Sequence, residues 1–238
     1  MSMLVWHEIE AGCPICAVRL ILRRLGGGFA LGQDSDLLVR MDGQHIIQAE
    51  IHTCPRCRYS GFPEDFEQTI HRSATERFLA DVHPKLVTKG TGGPTPDLLY
   101  EWAYRCARFL GKPDRELGLL LLRAYWCLRL PPSCDLPEVV LDSRKTKYLS
   151  GSVHHLRQAL EPESPPHQSY LLGELNRRRG EFAAAAAYFK RFLDSGSLRR
   201  ADVPMYLRLA AMKLLKSAEH CEPKDRTMEE IVYADSPE

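Results

Sequence analysis

The chain has no long hydrophobic run. Its most apolar unbroken stretch is Leu119 to Leu122, far short of the roughly 20 residues a membrane-spanning helix needs. No basic leader or sustained apolar segment opens it; Met1 to Glu8 reads Met-Ser-Met-Leu-Val-Trp-His-Glu. These absences predict a cytoplasmic protein with no membrane partner. Excess charge of one sign is missing too, with 32 Lys plus Arg against 31 Asp plus Glu. That balance removes the electrostatic basis for strong non-specific nucleic-acid binding. Also lacking are a Gly-rich phosphate loop, a nucleophile elbow and an H-E-x-x-H pair. Gly26-Gly27-Gly28 has no following Lys and Ser/Thr. The expectation is a protein without enzymatic activity.

What is present begins with cysteine. Eight cysteines in a reducing compartment read as ligands or buried thiols rather than disulfides. Four fall into two matching pairs, Cys13-Pro14-Ile15-Cys16 and Cys54-Pro55-Arg56-Cys57. Two intervening residues let both sulfurs of a tight turn reach one ion. Two such turns complete a tetrahedron, the geometry zinc prefers with thiolates. Proline after the first cysteine pre-sets each turn. Four protein ligands make a closed, structural site rather than a catalytic one. Cys13, Cys16, Cys54 and Cys57 are therefore the expected metal residues and zinc the expected cofactor, with no catalytic residues assigned. Two alternatives stand beside this: cysteines that hold no metal, and a redox dithiol, although neither pair opens a helix in a thioredoxin-like pattern. His7, His45 and His52 lie near enough to replace a ligand but read as ordinary histidines. Cys106, Cys127, Cys134 and Cys221 follow no ligand spacing, and Cys106 falls on an apolar helix face.

Hydropathy patterning divides the chain. Val18, Leu20 and Leu22 alternate with Arg19 and Arg23, a half-buried strand, and Gly26-Gly27-Gly28 reads as a turn. Ile47, Ala49 and Ile51 predict a second strand running into Cys54. From Phe62 the period lengthens to four, through Phe66, Ile70, Ala74 and Phe78, which predicts a helix with Pro63 in its first turn and Pro84 past its end. Residues 85–96, rich in Gly and Pro, read as a linker. Helices follow. Thr95 caps one with Pro96 first and Gly111 as its stop; a second runs from Asp114 to Leu130 and is apolar nearly all round, hence central. A third carries Leu149, Val153, Leu156 and Leu160. The end, from Ser217 on, has seven acidic and two basic residues, the composition of a flexible tail. The expected division is a zinc-ribbon-like module with a following helix over 1–84, a helical repeat-like domain over 95–220 and a tail over 221–238. The fold class is α+β, mostly α.

One segment follows a tetratricopeptide pattern, W-x2-L-G-x2-Y then A-x3-F. Leu172, Gly173, Ala185 and Phe189 occupy matching positions, while Ser169 and Asn176 stand where Trp and Tyr would. Gly173 and Ala185 are small where two antiparallel helices approach, with Leu172, Phe182 and Phe189 filling the seam. Gly180 ends the first helix, and Arg177 to Arg179 suit its negative end. The alternative is a plain helical bundle with one repeat-like hairpin.

Together the motifs Cys13-Pro-Ile-Cys16, Asp34-Ser35-Asp36, Cys54-Pro-Arg-Cys57-Arg-Tyr59-Ser-Gly-Phe62, Leu119 to Trp126 and Tyr170 to Gly180 resemble a bacterial family known as domain of unknown function 2225. The resemblance runs from Cys13 to about Leu193. It implies a zinc-ribbon-type start and repeat-like helices, and it offers no function to borrow. The family usually places Gly after each second cysteine; here Ala17 and Arg58 stand there, where a positive φ would be strained. Asp34 and Asp36 read as turn-capping beside the Gly-rich segment, with acid, base or second-ion roles as the alternative.

These readings favour a non-enzymatic adaptor that binds a protein or peptide partner through its helices. The other reading is a nucleic-acid-binding ribbon, with Arg19, Arg23, Arg24, Arg56 and Arg58 lining one face.

Overall fold

The computed structural model describes residues 5–28, 30–41, 46–86, 93–130, 136–161, 164–194 and 203–233. Helix covers 57% of the described residues and strand 15%, the mostly helical α+β class expected from the patterning. Among the described residues no helix is long and apolar enough to cross a membrane. The chain forms two compact units, one of 1–29 with 42–148, the other of 30–41 with 149–238. This is not the division drawn from the sequence at 84, 95 and 220. The Gly/Pro-rich stretch does not separate the units, although its residues 87–92 lie outside the described ones.

The first unit opens with an antiparallel hairpin, β1 (Val5–Gly12) against β2 (Arg19–Gly27). Alternation along β2 works as its pattern predicts, with Leu22 buried between exposed Ile21 and Arg23. The glycine run is strand rather than turn as far as Gly27: a side chain at Gly26 would collide with the His7 ring, so glycine is what lets the two strands close there. The second expected strand is mostly absent. Ile46–Gln48 is a 3-10 turn with Ile46 and Ile47 both buried, and Tyr100 donates to the Ile47 carbonyl at 2.7 Å. Only His52–Thr53 (β5) is extended, paired with Ser60–Gly61 (β6).

The four-residue period after Phe62 is likewise interrupted. Pro63–Phe66 is a 3-10 turn held by Asp65, which accepts from the Phe62 amide at 3.0 Å. Gln68 then donates to the Asp65 carbonyl at 2.9 Å, and helix α1 begins only at Arg72 (Arg72–Asp81). Local side-chain bonds offered the backbone a competing partner and took it. Helices α2 (Pro96–Phe109) and α3 (Asp114–Cys127) pack against each other. Gly111, at φ +72°, makes the stop between them. Thr95 sits at the N-cap, but its hydroxyl donates to Asp97 at 2.5 Å instead of capping the helix.

Helix α4 (Glu138–Gln158) spans the division at Tyr148. In the second unit α5 (Pro166–Arg178) and α6 (Phe182–Asp194) form a hairpin, and α7 (Met205–Glu219) packs on α6. The turn between α5 and α6 uses Gly180 at φ +76°, with the Glu181 amide donating to the Asn176 carbonyl at 2.9 Å. That is a helix stop of the kind glycine permits. The seam is as tight as its residues suggest. An added Cβ on Gly173 would lie 2.8 Å from the Phe189 ring, and Leu172, Ala185 and Phe189 are fully buried. Phe182 is only partly covered; Tyr170 and Phe192 fill the remaining space.

Two further segments complete this unit. The β3 (Ala30–Gln33) and β4 (Val39–Met41) hairpin belongs here. So does α8 (Met228–Tyr233), whose Met228 and Ile231 join the core. The stretch expected to be a flexible tail is thus structured through 233. Its last five residues lie outside the described ones, as do Gly90, Gly92, Pro131, Pro132, Cys134, Pro162, Arg199 and Arg200.

Candidate metal centre

Each Cys-Pro-x-Cys pair closes a hairpin, and the two closures are built alike. At the first, Gly12 pairs with Arg19, leaving Cys13 to Val18 as the loop. The Cys13 amide donates to the Val18 carbonyl at 2.9 Å and the Ala17 amide to the Cys13 carbonyl at 2.9 Å. At the second, Thr53 pairs with Ser60 around Cys54 to Tyr59. The Cys54 amide donates to the Tyr59 carbonyl at 2.9 Å and the Arg58 amide to the Cys54 carbonyl at 2.9 Å. Ala17 and Arg58 occupy the same place in each loop at φ 58° and 59°. The strain expected where these residues replace glycine is therefore present, since left-handed backbone costs an L-residue about 1–2 kcal/mol.

The loops bring four sulfurs together. All four Sγ atoms lie within 4.8 Å of one another. Cys13 and Cys57 are 3.4 Å apart, as are Cys16 and Cys54, so each close contact takes one sulfur from each loop. These separations exceed a disulfide's roughly 2 Å. They bracket the edge of about 3.8 Å that a tetrahedron with 2.3 Å metal–sulfur bonds requires. The cluster could hold a metal ion, and it is the one such group among the described residues.

Burial makes the thiols interdependent. Cys54 is fully buried, Cys13 and Cys57 nearly so, and Cys16 is half-covered. The hydrogen bond with Cys57 draws the Cys13 thiol down to about 5, helped by amides of Cys16 and Ile15 against the effect of burial. That same bond, then burial, pushes Cys57 upward, while burial raises Cys54. Four negative sulfurs this close are unfavourable without a cation. Aromatic walls exclude water: Tyr59 meets Phe66 edge-on at 5.2 Å and Phe78 at 5.9 Å, with Trp102 of α2 in the same core.

The remaining candidates separate cleanly. His52 accepts from the Arg23 amide at 3.1 Å, tying β5 to β2 outside the sulfur group; burial lowers its pKa. His7 packs on Gly26, and His45 is outside the described residues. Cys106 is buried nearby and accepts from the Ser60 amide at 3.4 Å. It is a core thiol, as its helix face predicts. Of the arginines proposed as a basic face, Arg24 pairs with Glu64 and Glu67 at 3.0 Å, and Arg23 approaches Glu8 at 3.7 Å. Arg58 lies 5.7 Å over the Trp102 ring and donates to the Leu86 carbonyl.

The Asp34-Ser35-Asp36 motif serves the second unit. It forms the β3–β4 turn, with the Asp34 amide donating to Leu38 at 2.8 Å and Leu37 at φ 70°. Its side chains reach past the turn. Asp34 meets Arg40 at 3.2 Å, Ser35 donates to Glu174 at 2.6 Å, and Asp36 lies 3.5 Å from Arg178. Glu174 is fully buried. Burial would raise its pKa, but bonds from Arg177 and the charge of Arg178 lower it. Arg177, expected as a charge at the helix end, is buried instead and donates to the carbonyls of Glu222 at 2.6 Å and Lys224 at 2.9 Å. The sequence signal for this cluster was an acidic residue three and four positions before two arginines, which reads equally well as a solvated helix face.

No curated protein and no solved structure matches the chain. A family model described as "Uncharacterized protein conserved in bacteria (DUF2225)" matches residues 7–208. That span holds both Cys-Pro-x-Cys loops and the α5–α6 hairpin, so the chain belongs to this family.

Proposed function

We propose that this is a zinc-binding, non-enzymatic interaction protein of the cytoplasm. In this reading a structural four-cysteine zinc site organises the first unit. A tetratricopeptide-like helical unit serves as scaffold or adaptor for a protein or peptide. The observation that carries the proposal is the convergence of four Sγ atoms within 4.8 Å on two hairpin loops of the same build. Four thiolates at tetrahedral spacing suit zinc among the common divalent ions, and they leave no open position for a substrate.

The interaction half rests on the tight α5–α6 seam and on the absence of any phosphate-loop or nucleophile motif. One face of α5 is taken by the chain itself, since Tyr170 donates to the Ser35 carbonyl at 2.9 Å and Arg177 holds Glu222 and Lys224. A partner is therefore to be sought on the outer surface of α6 and α7. A nucleic-acid role ranks second, because Arg23, Arg24 and Arg58 are already engaged.

Native mass spectrometry with elemental analysis of the wild type and Cys54→Ser tests the metal claim. One zinc per chain, lost in the variant, is expected. Fully reduced protein without metal overturns it and makes dithiol chemistry the reading to test.

A further inference from the structure

Residues 222–227 cross α5 as an extended segment and lead into α8. Helix α7 closes before them, with Cys221 at φ 58° and the Glu222 amide donating to the Ser217 carbonyl at 2.9 Å. Glu222, Pro223 and Lys224 are exposed; it is their main chain that is held. Arg177 donates to the carbonyls of Glu222 and Lys224 at 2.6 and 2.9 Å. The Ser35 amide donates to the Arg226 carbonyl at 3.0 Å, and Thr227 forms an antiparallel bridge with Asp34. Three side chains add to this. Asp225 meets Arg178 at 2.7 Å, while Met228 and Ile231 are buried. Main-chain hydrogen bonds with seats for a few side chains are how grooves take up extended peptides.

The receiving side is oriented by residues other than the segment. Two bonds to Glu174, at 2.7 and 2.8 Å, lock the Arg177 guanidinium. Glu174 is in turn held by Ser35 at 2.6 Å and by Arg178 at 2.8 Å. Donors fixed in advance reduce the ordering cost of binding a flexible chain. The occupant does not fill its seat. Beside α8 a cleft of about 330 Å³ remains, lined by Ala30, Val39, Tyr206, Met228 and Val232, where a well-packed core leaves few voids larger than a water molecule. The groove falls inside the family match over 7–208 and its occupant outside it.

We infer that this face of α5 is a peptide-binding groove, closed by the chain's own residues 222–231. It accepts in trans an extended segment with an acidic residue and apolar residues three and six positions later, as Asp225, Met228 and Ile231 are spaced. The inference needs neither zinc nor a partner on α6 and α7, which meets the chain with its groove closed. The probe is a fluorescent peptide of residues 222–233, followed by anisotropy against the full chain up to about 100 µM. The full chain carrying Met228→Glu/Ile231→Glu, which expels the tethered segment, should bind the peptide. Wild type should bind it roughly tenfold more weakly or worse, because its tethered copy competes at an effective concentration on the order of millimolar. Peptides carrying Asp225→Lys or Met228→Glu should each lose roughly tenfold in affinity for the double variant. In wild type, amides of 228–233 should exchange hydrogen roughly tenfold faster than those of α5, as a segment that opens locally does. A double variant that does not bind, a wild type that binds equally well, or altered peptides that bind like the original overturn the proposal. So does equal exchange in wild type. Loss of α5–α6 protection in the double variant overturns it too, because the segment is then part of the core rather than an occupant.

Discussion

Ala17 is exposed, and its methyl group buys no core contact to offset a φ of 58°. Glycine there relieves about 1–2 kcal/mol of steric cost and adds roughly 0.5–1 kcal/mol of unfolded-chain entropy. Ala17→Gly should therefore stabilise the first unit by about 0.5–1 kcal/mol, read as a higher urea midpoint in tryptophan fluorescence. A lower midpoint would refute the strain argument. Arg58 is a poor site for this test, because its side chain also stacks on Trp102. Gly173 poses the opposite case. In a free helix Gly→Ala gains about 1 kcal/mol, but here the new Cβ would sit 2.8 Å from the Phe189 ring. Gly173→Ala should destabilise the second unit by about 1–3 kcal/mol, seen as a lower melting temperature by circular dichroism. The sign alone separates seam from solvent-facing helix.

At the scale of elements, buried charge joins pieces that hydrophobic contact alone would leave unspecified. In the first unit α2 meets the start of α4 through Asp97, Glu101, Arg144, Lys147 and Tyr148. Burial would raise Glu101, yet bonds from Lys147, Arg105 and Tyr148 hold it at about 2 against an ordinary 4.5. In the unfolded chain this carboxylate takes up a proton near 4.5 while the folded one resists. The contribution, on the order of 2 kcal/mol, is present in full above pH about 4.5 and is lost as pH falls towards 2. Urea unfolding of the wild type should lose more stability between pH 7 and pH 2.5 than Glu101→Gln does. Equal losses would show that this cluster does not set the acid limb. The β3–β4 hairpin is held to α5 in the same way by Ser35, Asp36, Glu174 and Arg178. Removing one member of such a buried group is costly because it strands the others.

For the whole molecule, the two units should respond to metal differently. All three tryptophans, Trp6, Trp102 and Trp126, lie in the first unit, so their fluorescence reports that unit alone. The sulfur cluster is part of its core beside Leu22, Tyr59, Phe66 and Phe78. Structural zinc contributes on the order of 10 kcal/mol to folding in small domains. Chelation should therefore lower the urea midpoint read by tryptophan and leave hydrogen-exchange protection in α5 to α7 unchanged. An unaltered fluorescence transition after complete metal removal would show that the cluster is not a folding element.

What the amino-acid order determined by itself was local and chemical. Two Cys-Pro-x-Cys pairs specify two turns, and four cysteines on two turns of the same build could share one metal ion, a reading that needs no knowledge of the rest. Pro96, Gly111 and Gly180 mark helix ends because their backbone limits act within one turn. Gly173 and Ala185 announce a close helical approach by size. Short apolar runs were ambiguous. Ile47, Ala49 and Ile51 alternate like a strand, but Tyr100, 53 positions from Ile47, captures a carbonyl there and the segment turns. Phe62 to Phe78 keeps a helical period through a break made by Asp65 and Gln68. Tertiary structure alone decided the partition of the chain. The 30–41 hairpin and the 221–233 segment join α5 through Ser35, Glu174 and Arg177, across separations in sequence of 139 and 45 residues. Burial converts charges that look like solvent-facing helix decoration into a clasp, and no local pattern encodes which charges the fold will bury.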